Sequence, residues 1–154
     1  MNPQALIACI QINLLKRPLL RVETVQDCLA LSRDQVNQMI ENGELPFAFN
    51  LASDSKRTDP RVFALSVAEK TGWKNPVGQT KNLKLPEVIG MILPKRDLRS
   101  TELERILACS HQMVFRSKNK FTSARKPAAS SGPNSYTVFT RASVETYLTQ
   151  RRMT

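Results

Sequence analysis

The 154-residue sequence predicts a mainly α fold with small β-hairpins, an α+β chain of two similar modules behind an N-terminal helix. Three observations predict it. Residues 19–49 (LLRVETVQDCLALSRDQVNQMIENGELPFAF) have the pattern of two short helices joined by a tight turn and followed by a strand. A diluted copy returns downstream: at an offset of 78, residues 98–114 (LRSTELERILACSHQMV) align without gaps against 20–36 and match at six of 17 positions. The formal net charge of +10 is also unevenly placed, with nine basic and eight acidic residues in 1–80 but fourteen and five in 81–154, or +1 and +9. The downstream half is the one suited to a polyanion.

Residues 1–17 read as a helix opened by Asn2 as cap and Pro3 at the first helical position. Ala5, Leu6, Ile7, Ala8, Cys9, Ile10, Ile12, Leu14 and Leu15 make it apolar on more than one face. Such a helix must be covered, either by its own chain or by a second copy or protein partner. It is too short to span a bilayer and carries Gln11 and Asn13. The lack of basic residues ahead of the apolar stretch argues against a signal peptide.

The first module occupies 18–72. Val22, Val25, Leu29 and Leu31 lie near helical spacing and leave Glu23, Gln26 and Asp27 outside, which makes a first helix of about two turns. Ser32 stands three residues before Gln35, a capping-box pattern for a second helix. Val36, Met39 and Ile40 form its inner face, while Arg33, Asp34, Asn37, Gln38 and Glu41 lie on the outer one. Gly43 is a stop, because it accepts the left-handed conformation. Residues 45–49 and 61–63 then read as two strands around a polar, basic loop. Ser66 with Glu69 is expected to form another capping box and open a closing helix.

A connector at 73–95 follows. Residues 71–97 hold three prolines and three glycines, and 85–93 within them are apolar enough for a short packed helix or strand. Trp73 is expected to be a packing anchor. The second module, 96–154, repeats the pattern with a second helix at 110–118, where Asn119 takes the place of Gly43 and Phe121 that of Leu45. Its hairpin loop is the long polar segment 122–135, followed by a strand at 136–139 and a closing helix at about 141–150. Modules of about 55 residues have marginal cores by themselves, so burial between the copies or against another chain is expected, with two units packed together favoured over two independent ones.

The order helix, turn, helix, strand, hairpin, closing helix, carried by VQDCLALSRDQVNQMIENGELP, resembles the winged helix-turn-helix of the excisionase and MerR-like DNA-binding family. The resemblance implies two winged modules in tandem. It also implies that the helix beginning at Arg33 enters the major groove and that the loop around Lys56 and Arg57 touches phosphate or the minor groove. Arg33, Gln35, Asn37 and Gln38 include the side chains best suited to guanine and adenine edges. Asp34, Glu41 and Glu44 would repel phosphate, which leaves both a DNA-reading role and a protein-contacting or structural one open for this copy. His111, Gln112 and Arg116 are the base-reading candidates of the second copy, although an ordinary exposed helix position also describes His111. Lys56, Arg57 and Arg61 in the first wing, with Lys118, Lys120, Arg125 and Lys126 in the second copy, are the expected phosphate contacts.

Catalysis has little to stand on. The sequence holds one histidine and no GxGxxG, Walker-type lysine loop, HExxH or GxSxG. Glu102 and Glu104 are read as surface residues. Cys9, Cys28 and Cys109 lie far apart on apolar helix faces, as buried thiols of a reduced, cytoplasmic protein would. Their spacing supplies neither a disulfide framework nor a zinc site, so no metal or cofactor is expected. The expected function is sequence-specific binding of double-stranded DNA, in transcription regulation or as an accessory factor for recombination, replication or partition, near the nucleoid. The resemblance implies a phage, plasmid or other mobile element as the setting. The alternative is a protein-interaction adaptor built on the same architecture.

Overall fold

The computed structural model describes residues 17–52, 57–72, 78–116, 123–127 and 135–153. The N-terminal helix expected over 1–17, together with Lys56, Trp73, Lys118, Lys120 and Phe121, lies outside the described residues, apart from Arg17. So do the side chains of Arg116, Arg125 and Lys126.

The first half runs β1 (Leu19–Arg21), α1 (Val22–Leu29), α2 (Arg33–Glu41), β2 (Ala48–Asn50), β3 (Pro60–Phe63) and α3 (Ala64–Lys70). Val22 and Val25 are buried on α1, and Val36 and Ile40 on α2, as their spacing requires. Ser32 caps α2: its hydroxyl accepts the Gln35 N–H at 3.2 Å, and the Gln35 side chain accepts the Ser32 N–H at 2.9 Å. At the other end Gly43, at φ 75°, closes a Schellman turn. Its N–H donates to the Ile40 carbonyl at 3.2 Å, and the Glu44 N–H to that of Met39 at 2.9 Å.

Two expectations for this half are corrected. Of the strand expected over 45–49 only its last two residues pair, because Phe47 turns into the left-handed region at φ 66°. Its ring meets Phe63 edge-on at 6.3 Å, and the Arg152 guanidinium lies 4.6 Å from its centre, which holds a backbone conformation that bulky residues rarely adopt. Ser66 and Glu69 do not form a capping box. Helix α3 already begins at Ala64, because the Ala64 N–H donates to the Pro18 carbonyl at 2.9 Å and extends the β1–β3 ladder into the first turn. The Ser66 hydroxyl instead donates to the Pro46 carbonyl. The Glu69 carboxylate takes the Thr80 N–H at 2.8 Å and the Thr80 hydroxyl.

After a single 3-10 turn at Thr80–Asn82 and helix α4 (Leu85–Ile92), the second half runs β4 (Leu98–Arg99), α5 (Ser100–Ile106), α6 (His111–Arg116), β5 (Ser123–Pro127), β6 (Ser135–Phe139) and α7 (Arg141–Arg151). The loop expected over 122–135 is shorter than its composition suggested, since Ser123–Pro127 pairs antiparallel with Ser135–Phe139. Both halves have the same element order. Their sheets, β1-β3-β2 and β4-β6-β5, each set the leading strand against the second strand of the hairpin. Equivalent details recur at the offset of 78. Ala30 and Ala108 are left-handed at φ 55° and 50°, and Ser110, like Ser32, accepts the N–H of the residue three positions on, here at 3.2 Å.

Strand alternation explains where the core lies. Leu20, Val62 and Ala48 face one way and join Val25, Val36, Ile40 and Val67 beneath the first half's own helices. Leu19, Phe63 and Phe49 face the other way, into a cluster with Ile89 of α4 and Leu98, Leu103, Phe139 and Leu148 of the second half. The first sheet is therefore buried on both faces, and its second face completes the core of the other half. A return contact closes the arrangement. The Met153 N–H donates to the Ala48 carbonyl at 2.7 Å, Arg152 bridges Phe49, and Arg151 donates to the Ala52 carbonyl at 2.8 Å. Residues 152 and 153 thereby cover the outer edge of β2.

Candidate nucleic-acid interface

Helix α2 presents Arg33, Asp34, Gln35, Gln38 and Glu41 to solvent, with Asn37 half-buried. These side chains share one face because the other carries Val36 and Ile40. Gln35 is partly committed, since its carbonyl oxygen serves the cap. Arg33 lies 3.4 Å from Glu23, which also meets Arg21 at 3.7 Å. A backbone hydrogen bond at the start of α1, with these two guanidinium groups alongside, holds the Glu23 carboxyl below the usual range. Exposed pairs of this kind exchange readily with other ions.

On α6, His111 and Gln112 are exposed, Met113 is half-buried and Val114 is buried. The His111 ring nitrogen Nδ1 meets the carboxylate of Glu104, one of the two acids on α5 read from sequence as plain surface residues. The other, Glu102, is gripped by both terminal nitrogens of Arg96 at 2.8 and 2.6 Å, and that contact holds its carboxyl below the usual range. Both acids are tied into α5 and its neighbours rather than standing free.

Arg61 is not a phosphate contact. It is 1% exposed, and its Nε donates to the carbonyls of Leu107 at 2.8 Å and Ala108 at 3.2 Å. Its Nη1 reaches Asp59 at 2.6 Å and the Pro60 carbonyl at 3.1 Å. The cause is alternation on β3: Arg61 shares the face of Phe63, which is turned to the second half. There it satisfies carbonyls left over at the end of α5. Arg57, by contrast, is exposed.

Arg17 and Arg21, overlooked in the sequence, meet Arg105, one of the basic residues expected to contact phosphate, in a groove between the halves. Arg17, Arg21 and Thr24 from one side and Thr101, Arg105 and Ser110 from the other line a space of about 500 Å³. Only the packing of one half on the other brings these positions together, and no local pattern carries that information. Cys109 also lines it, half-buried like Cys28 and, like it, in no disulfide, so neither thiol is closed off as expected. Burial pushes the Cys109 thiol up to about 11.

Among the described residues no group of three or more His, Cys, Asp or Glu could hold a metal ion, and no helix is long and apolar enough to cross a membrane. No protein-family model, curated protein or solved structure matches the chain.

Proposed function

We propose that the chain binds double-stranded DNA through two winged helix-turn-helix modules held in fixed tandem, as a regulator or as an accessory factor for recombination, replication or partition. One observation carries the reading: the order strand, helix, turn, helix, hairpin, helix occurs twice, with the same strand order in both sheets. In each copy the second helix packs one face and leaves polar side chains outward. That is the arrangement a helix needs to lie in a major groove. The two copies divide the work by charge. The downstream half, at +9, supplies phosphate affinity, while Arg33 and Gln38 on the nearly neutral first copy read bases.

Exposed Asp34 and Glu41 on α2 favour a second reading, in which the first copy grips a protein partner. Selection of duplexes from a random-sequence pool at physiological salt separates the two. An enriched motif that relaxes in Arg33→Ala or Gln38→Ala, by about 1–3 kcal/mol of base discrimination, supports the DNA reading. Feeble binding to every duplex, with no motif, overturns it in favour of the adaptor.

A further inference from the structure

The groove between the halves is a better phosphate site than either outward helix. Three arginines and three hydroxyl-bearing residues line it, against one acid, Glu104, which is engaged with His111. Arginine presents a planar fork that matches two phosphate oxygens, and hydroxyls add donors at little steric cost. Arg105 is hydrogen-bonded to no described side chain, with Glu102 near enough to feel its charge. Among the described residues Arg21 has only the loose 3.7 Å ion pair with Glu23, and its side chain is 56% exposed. Cys109, with its thiol pushed up to about 11, stays protonated at neutral pH and adds no negative charge to the wall.

Position gives the groove its meaning. Ser110 caps α6, so one wall leads directly to His111 and Gln112. Arg21 is linked through Glu23 to Arg33, so the other wall leads to the start of α2. The groove therefore joins the beginnings of the two outward helices.

We infer that this groove binds the phosphodiester backbone of nucleic acid, seating one strand between the two modules. The inference rests on the DNA-binding reading and adds the place where the duplex is gripped. Arg21 and Arg105 grip phosphate oxygens from opposite walls, with Arg17 and the hydroxyls of Thr24, Thr101 and Ser110 completing the shell. These contacts carry no sequence information and fix the register of both helices.

The test compares the wild-type chain with Arg21→Ala/Arg105→Ala and with Arg105→Gln alone. Both arginines are exposed, and a thermal melt of each variant confirms that the fold is intact. Affinity for a fluorescent random-sequence duplex is measured over a range of potassium chloride concentrations, then in competition with inorganic pyrophosphate. The double variant is expected to lower the steepness of log affinity against log salt by about two, and the single variant by about one, with base preference unchanged. A wild-type chain that binds duplexes with a slope equal to that of the double variant overturns the groove assignment and leaves the DNA reading standing. A wild-type chain that binds no duplex overturns both. If pyrophosphate at micromolar concentration displaces the duplex from the wild type but not from the double variant, the groove serves a free phosphoryl ligand, and the backbone assignment falls.

Discussion

Arg61 shows how a charged side chain on a strand beside a basic loop becomes an internal strut. Its guanidinium satisfies carbonyls of Leu107 and Ala108 in the other half, contacts made across 46 and 47 residues of sequence. Removing it leaves those acceptors buried without a donor, which costs far more than an exposed ion pair would. Arg61→Ala is expected to lose about 3 kcal/mol in urea denaturation. Arg61→Lys should recover less than half, because an ammonium cannot reproduce the fork. A loss within 0.5 kcal/mol for the alanine variant, the size of an ordinary surface change, would mean that water satisfies those carbonyls instead. The alternation Arg61, Val62, Phe63 was visible in the sequence and already placed Arg61 on the face of Phe63. What the sequence withheld was the partner for that face, so charge alone made Arg61 look like a phosphate contact.

The elements divide by how local their causes are. Helices α1 and α2 were legible, since apolar spacing, the Ser32–Gln35 box and Gly43 all act within a turn or two of the chain. The outward positions of Arg33 and Gln38 follow from the same period. Ser66 and Glu69 were misread because their partners, Pro46 and Thr80, stand 20 and 11 residues away and outcompete a local cap. The left-handed alanines fall between these cases. Ala30 and Ala108 end α1 and α5 at φ 55° and 50°, where glycine or asparagine is the ordinary choice, and nothing in their identity announces it. Because a Cβ in that region costs about 1–2 kcal/mol, Ala30→Gly and Ala108→Gly are each expected to stabilise the chain by about 1 kcal/mol, despite the entropy of glycine. Thermal melts that show both variants destabilised would mean that the turns carry no such strain.

For the whole molecule the two halves hold each other reciprocally. The first sends Arg61 and one face of its sheet into the second, and the second returns Arg151, Arg152 and Met153 to the edge of β2. A shared cluster running from Leu19 to Leu148 should make unfolding a single transition. Met153→Pro removes the N–H that meets Ala48 and is expected to cost about 1–2 kcal/mol in that transition without splitting it. Two separate denaturation steps in the wild-type chain would show that the modules stand independently. The same closure gives the chain an unusual birth. Arg151 finds Ala52 across 99 residues, so β2 and the apolar face of Phe49 are synthesised early and covered late. At ordinary ribosomal speed that interval lasts about 5–20 s. Through it the nascent first half holds an open strand edge, and an acceptable guest for a chaperone, until its own downstream residues arrive to replace it.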